Sequence, residues 1–160
     1  MSVAIREYRV EDCEPVVGLS LRAWAPVFAS LTQVLGGEIS ARLHGDWRPY
    51  QGNAVRGVLA DRTVRVWVAE DDGVVTGFVA ATLHHDRLIG EIVMLAVDPD
   101  GQNRGAGTAL TEFATGWLRD AGMRIAMVDT GGDGGHAPAR HVYEKADYAL
   151  LPVARYFKAL

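Results

Sequence analysis

The chain has a single cysteine, Cys13, in 160 residues, which excludes an internal disulfide framework and makes a reducing compartment the expectation. It has no run near the ~18 apolar residues that a membrane span needs. Its first residues, Met1 to Glu7, lack the basic-then-apolar layout of a secretion signal. A cytoplasmic protein without a membrane partner is therefore expected. It also lacks surplus positive charge: 16 Lys+Arg stand against 20 Asp+Glu, for a net charge of -4. Without a general basic surface, nucleic acid is not an expected partner, whereas a mild negative field suits a cation such as an amine. No set of side chains repeats a known metal-ligand spacing, His84, His85, Asp86 and His136 included, so no metal is expected. Repeats, low-complexity tracts and linkers are missing as well. One domain over 1–160 is the result, large enough to bury a core unaided.

What is present is concentrated in Leu95-Ala96-Val97-Asp98-Pro99-Asp100-Gly101-Gln102-Asn103-Arg104-Gly105-Ala106-Gly107-Thr108. An apolar run ends at Asp98-Pro99, a glycine-punctuated turn follows, and an amphipathic helix begins. That order brings free backbone N–H groups to the positive end of a helix dipole, where a phosphate or pyrophosphate binds. Gly105 and Gly107 let the backbone come close to the anion. The turn has no lysine before Thr108, so it is not a Walker A loop. Nor does it carry the third glycine of a dinucleotide fingerprint.

Along the chain, strands and helices alternate. Val3 to Tyr8 reads as a strand. A helix runs from Glu11 to about Trp24, with helical spacing again at Val27–Leu31, Ile39–Leu43 and Val55–Leu59. Val64 to Glu70 and Val74 to Leu83 form a hairpin through Asp71-Asp72-Gly73. Ile92 to Val97 is a buried strand, and Gly105 to Ala121 a helix stopped by Gly122. Arg124 to Thr130 is a second buried strand, Ala137 to Ala146 a helix, and Tyr148 to Leu160 a final pair of strands near Pro152. Gly131 to Gly135 reads as a flexible loop, either a gate or a long turn.

Gln102-x-x-Gly105-x-Gly107 matches the pyrophosphate signature of the GNAT family of acetyl-CoA-dependent N-acetyltransferases. The segment from His136 to Tyr148 is similar to that family's closing motif, with Ala139 and Tyr143 in place and Tyr148 for the usual Phe. His136 stands for the usual Asn and Asp147 for the usual Gly. His136 or Asp133 would supply the hydrogen bond that the Asn gives the pantetheine arm, and Asp147 tolerates the left-handed turn required there. Together the two motifs cover roughly residues 64 to 160. The resemblance implies an α/β fold with a mixed, mostly antiparallel sheet of six to seven strands split into a V, flanked by about four helices. Residues 1–63 would be acceptor-side helices and 64–160 the acetyl-CoA core. The pantetheine arm would lie in the split, against the main chain of Leu95, Ala96 and Val97. Gln102, Asn103, Arg104, Gly105, Ala106, Gly107 and Thr108 would hold the pyrophosphate, with His136, Ala139 and Tyr143 completing the coenzyme site. Many members dimerise, which allows a homodimer, although no apolar stripe in the sequence marks its interface.

The chemistry needs a base, an acid and an oxyanion donor. An alkyl ammonium has a pKa of about 10, so only ~0.1% is free amine near neutrality. Something must take its proton, and the leaving thiolate must be protonated. Glu91, four residues before Leu95, is the first candidate base, directly or through water, and its Glu-Ile-Val-Met-Leu-Ala-Val run is similar to the base-bearing run of the histone-acetyltransferase branch. A histidine or ordered water is the alternative. The resemblance makes Tyr143 the acid and the N–H of Val97 or a near neighbour the oxyanion donor. His84 and His85, beside the presumed acceptor cleft, are further proton-relay candidates. Trp24, Asp46, Trp47 and Tyr50 could build an aromatic, acidic pocket that attracts ammonium. The expected function is direct acetyl transfer from acetyl-CoA to a primary amine of a small molecule or peptide in a ternary complex. The rival is a non-catalytic acyl-CoA sensor or partner-binding module.

Overall fold

In the computed structural model, residues 3–101 and 104–160 are described. The elements follow the order β1 (Ala4–Glu7), α1 (Cys13–Leu35), α2 (Gly37–His44), α3 (Trp47–Ala60), β2 (Val64–Asp71), β3 (Val74–His84), β4 (Ile89–Val97), α4 (Ala106–Asp120), β5 (Ile125–Val128) and α5 (Ala137–Lys145). The strands form one sheet in the order β1-β2-β3-β4-β5. The first three pairings are antiparallel and the last is parallel. The sheet is mixed as expected, but it has five strands among the described residues, not six or seven. Residues 149–160 form no strand. Their alternating apolar pattern supplies strand propensity, but a strand exists only where a partner accepts its hydrogen bonds. No helix of the described residues is long and apolar enough to cross a membrane.

Period-two alternation places successive side chains on opposite faces of the sheet. Trp67, Ala69, Val79, Ala81 and Ile92 face α4, where Leu110, Ala114 and Leu118 recur every fourth residue. Val68, Phe78, Ala80 and Ala96 face the other way and pack with Val16, Val17 and Leu19 of α1 and Val55 of α3. The β2–β3 turn puts Asp72 and Gly73 at positive φ (48° and 78°), the conformation a two-residue hairpin of type I′ requires.

The first sixty residues differ most from the expected boundaries. Helix α1 runs on to Leu35, straight through Pro26. Proline costs one helical hydrogen bond, yet the helix continues and buries Phe28 beyond it. Helix α3 begins at Trp47 rather than near Val55, because the Asp46 carboxylate caps it by accepting from the Arg48 N–H at 3.3 Å. Arg6 fixes the start of the fold. Its guanidinium donates to both Asp12 oxygens (2.8 and 2.9 Å) and to Glu70 (2.7 Å), joining β1, the entry to α1 and β2.

Two details of β4 position the site. Between Ala80↔Met94 and Ala81↔Ile92 the ladder with β3 slips by one residue, which makes Val93 a bulge. The parallel pairing with β5 covers Ile89–Ile92 against Ile125–Val128 and stops there. Beyond it, β4 continues through Val93–Val97. Val93–Val97 thus has no pairing with β5 among the described residues.

Candidate active site

The glycine-punctuated turn after β4 leads into α4. Gly105 is the N-cap of α4 at φ 84°, a left-handed conformation that suits glycine. The first helical bond runs from the Ala109 N–H to the Gly105 carbonyl at 2.9 Å. The N–H groups of Ala106, Gly107 and Thr108 precede it and have no carbonyl in the helix to reach. A Cβ built on Gly105 would meet nothing within 4 Å. Those donors, at the positive end of a fifteen-residue helix, fit a pyrophosphate. Arg104 is exposed beside them, while Gln102 and Asn103 lie outside the described residues. Leu95, Ala96 and Val97 fall on the part of β4 past its pairing with β5. The Asp98 carboxylate, just after it, accepts from Arg22 of α1 at 2.5 Å, and that guanidinium holds Asp98 below the usual carboxylate range.

Glu91 lies inside β4 rather than before it, opposite Thr82 of β3 and Met127 of β5. Ile92 faces α4, so alternation turns Glu91 to the other face. Phe78 and Ala80 also face away from α4, and the same alternation carries His84 to the side of Glu91. There the two meet: His84 Nε2 lies 2.8 Å from Glu91 Oε2. Both line a cavity of about 290 Å³ together with Asp86, Arg87, Ile89 and Met127. His85 is exposed in the turn after β3 and lies outside that lining.

A second histidine–carboxylate pair stands before α5. His136 Nδ1 is hydrogen-bonded to one oxygen of Asp133, whose other oxygen accepts from Ser30 Oγ of α1 (2.5 Å) and from the Gly135 N–H (3.1 Å). Arg140 donates to the Gly131 and Asp133 carbonyls at 2.5 and 2.8 Å. The loop from Gly131 to Gly135 is thus fastened from both sides rather than loose. Its glycines make the fastening possible. A Cβ on Gly131 would stand 2.5 Å from Asp133 Oδ1 and His136 Nδ1, and one on Gly135 would stand 2.6 Å from Ser30 Cβ. Burial pushes the Asp133 carboxyl up, but the bonds from Ser30 and His136 outweigh it and hold it below its ordinary value. Ser30, more than a hundred residues from its partner, carries no signal in the sequence.

Tyr143 is buried on α5, two turns after His136, and Ala139 is half-buried on the same helix. Burial, with a lesser contribution from Tyr148, pushes the Tyr143 phenol up to about 12. It is therefore fully protonated at neutral pH. Asp147 ends the helix at φ 64°, the left-handed turn expected of it.

The acceptor-side candidates separate. Trp24 packs into the core between α1 and the sheet, and Asp46 caps α3. Trp47 stacks on Phe28 at 4.7 Å, with His44 and Tyr50 edge-on to the same ring. Phe28, His44 and Trp47 line a smaller cavity of about 200 Å³ between α1 and α2. Among the described residues no group of three or more His, Cys, Asp or Glu could hold a metal.

Comparison with known proteins places this arrangement. Residues 30–148 match the model of the acetyltransferase (GNAT) family. The chain belongs to that family. It is 28% identical to a mycothiol acetyltransferase of Rhodococcus jostii over 91% of its own length and 45% of the relative's. The chain thus spans about half the length of such curated relatives. In fold it resembles an aminoglycoside N-acetyltransferase solved with CoA (TM-score 0.65, 16% identity, 98% and 99% of the two chains). It likewise resembles the PaiA N-acetyltransferase of Thermoplasma acidophilum with coenzyme A (TM-score 0.64, 16% identity, 91% and 89%).

Proposed function

We propose that this GNAT domain transfers an acetyl group from acetyl-CoA directly to a primary amine of a small molecule, in a ternary complex. The observation that carries the reading is Glu91, held by His84 at 2.8 Å on the wall of a cavity of about 290 Å³. A cavity near the lower end of the roughly 300–1,000 Å³ typical of ligand sites suits a small acceptor. The names of the relatives point the same way, toward small-molecule acceptors.

The N–H groups of Ala106, Gly107 and Thr108, with Arg104, hold the pyrophosphate. The pantetheine arm runs along the main chain of Leu95 and Ala96 toward His136 and Tyr143. Glu91 takes a proton from the bound ammonium, directly or through water, and His84 holds the carboxylate in place. The free amine then attacks the thioester carbon, forming the C–N bond as the C–S bond breaks. Tyr143, protonated at neutral pH, gives its proton to the departing thiolate, and the nitrogen of the new amide gives up its second proton as the phenol is restored; Glu91 releases the first to water. Cys13 packs at the start of α1 against the core and takes no part, so no acyl-enzyme forms.

The test is amine-dependent thiol release from acetyl-CoA over a panel of small amines and peptide N-termini, with acetyl-CoA binding followed by calorimetry. Turnover with a small amine is the expected result. Binding without release across the panel would favour the sensor reading, and absence of binding would overturn the coenzyme site.

A further inference from the structure

The cavity on which Glu91 opens carries charge of both signs. Its lining joins the His84–Glu91 pair and the Asp86 carboxylate to the Arg87 guanidinium and to the apolar side chains of Ile89 and Met127. Glu91 already has a partner in His84, at 2.8 Å. Arg87 has none: its guanidinium makes no hydrogen bond or ion pair among the described residues, with neighbouring Asp86 included. Arg6, Arg22, Arg56, Arg65 and Arg140, in contrast, each donate to a carboxylate or a carbonyl.

The backbone under Arg87 is held in place. It lies in the turn from β3 to β4, between the paired residues His84 and Ile89. Its N–H donates to the His84 carbonyl at 3.3 Å. The next carbonyl, of Leu88, accepts from the Arg124 and Ile125 N–H groups at 2.8 and 3.3 Å. Leu88 closes the turn at φ 53°, a left-handed conformation uncommon for a bulky residue. The turn is thus tied to β3 and to the entry of β5, and it presents an unmatched cation on the cavity wall.

A guanidinium offers a planar fork of N–H donors that fits a carboxylate, and it has no acceptor of its own. The ligand that completes this wall therefore brings an oxyanion. Asp86 limits its charge. With two carboxylates and one guanidinium on the lining, a singly charged carboxylate is matched, whereas a doubly charged phosphate meets repulsion. Ile89 lies two positions before Glu91 on the same face of β4, roughly 7 Å along the strand. With Met127 it suits methylene groups between two charged ends of a ligand.

We infer that the acceptor is a small amino acid: a primary amine at Glu91, joined by apolar carbons to a carboxylate that Arg87 binds. This rests on the proposed acetyl transfer, in which Glu91 takes the ammonium proton. Arg87 then sets specificity, because it holds the end of the molecule that does not react.

The test is thiol release from acetyl-CoA with straight-chain amino acids of increasing length, from glycine upward, each paired with its primary amide. The amide keeps the amine and loses the negative charge. The parent is expected to favour an acid over its amide in kcat/KM by about 10–100-fold, the weight of a hydrogen bond to a charged group. Arg87→Gln brings that ratio close to one. Arg87→Lys keeps part of it, since lysine retains the charge and lacks the fork. Parent and variant are compared on the same two substrates, so intrinsic reactivity cancels. An amide preferred over its acid, or a ratio that Arg87→Gln leaves unchanged, would overturn the inference while acetyl transfer stands. Calorimetry of the same acids and amides on the CoA-loaded protein covers the opposite case. Acid binding that Arg87→Gln weakens, without thiol release, would keep the ligand class and overturn the transfer. Neither binding nor release would overturn both.

Discussion

Two histidine–carboxylate pairs, one on the sheet and one in the loop before α5, are built in opposite ways. In His84–Glu91 the side chains are 44% and 25% exposed and the pair opens on a cavity. In His136–Asp133 they are 20% and 8% exposed, and the carboxylate already accepts from Ser30 and the Gly135 N–H as well as meeting the ring. A carboxylate with spare acceptor capacity and access to water can take a proton and release it again. One saturated with donors resists protonation and serves as a tie between chain segments. A histidine and a carboxylate thus have the build of a proton-transfer pair at one position and of a structural tie at the other.

The sharpest way to break this contrast is Glu91→Gln. We expect kcat to fall about 10²–10⁴-fold, the usual weight of a general base, with the melting temperature nearly unchanged. Tyr143→Phe is expected to lower kcat less than Glu91→Gln while leaving acetyl-CoA affinity, measured by calorimetry, close to that of the parent. Asp133→Asn tests the other pair. Unfolding in denaturant should show a loss of about 1–3 kcal/mol, as for a buried acceptor whose partners are left unmatched, and the KM for acetyl-CoA should rise more than kcat falls. If Asp133→Asn instead abolished turnover with stability intact, the two pairs would have to exchange roles.

The smallest effects are in pH. Asp133 titrates below its unfolded value of about 3.9, so its contribution to stability is present above that pH. It disappears as pH falls through the folded value. The Asn variant should lack that part of the acid profile. Tyr143 moves the other way: its contribution is complete below about pH 10 and is lost as pH climbs toward about 12. Tyr8, raised to about 12 chiefly by burial, should join it as the last phenols to ionise in a spectroscopic titration.

The donor side was legible because its chemistry is written locally. Gly105 and Gly107, the run from Glu91 to Val97, and Ala139 with Tyr143 each fall within one turn, strand or helix, so their resemblance to the family's motifs can be read from a short stretch of sequence. The acceptor side was not. Pro26 signals the end of a helix, yet α1 passes through it, because Phe28 gains more from burial than one lost hydrogen bond costs. Trp24, Asp46, Trp47 and Tyr50 read as one aromatic, acidic pocket, whereas Asp46 caps α3 and Trp24 packs half-buried against the core. Ser30 could not be found at all, since its role exists only once α1 lies against the loop before α5. Residues 149–160 have the composition of strands, but composition cannot say where their partner is.

The bulge at Val93 has a genetic consequence. Ile92 faces α4 and Met94 faces α1, so excision of Val93, a single codon, would leave an ordinary alternating strand with both cores still lined. Glu91 would meanwhile be drawn toward Leu95 by one strand step, about 3.3 Å. A deletion that a fold-based selection tolerates would thus displace Glu91, the base we propose, from the reacting atoms. Among length variants of this family, survival of the protein and survival of its activity should part company at this residue.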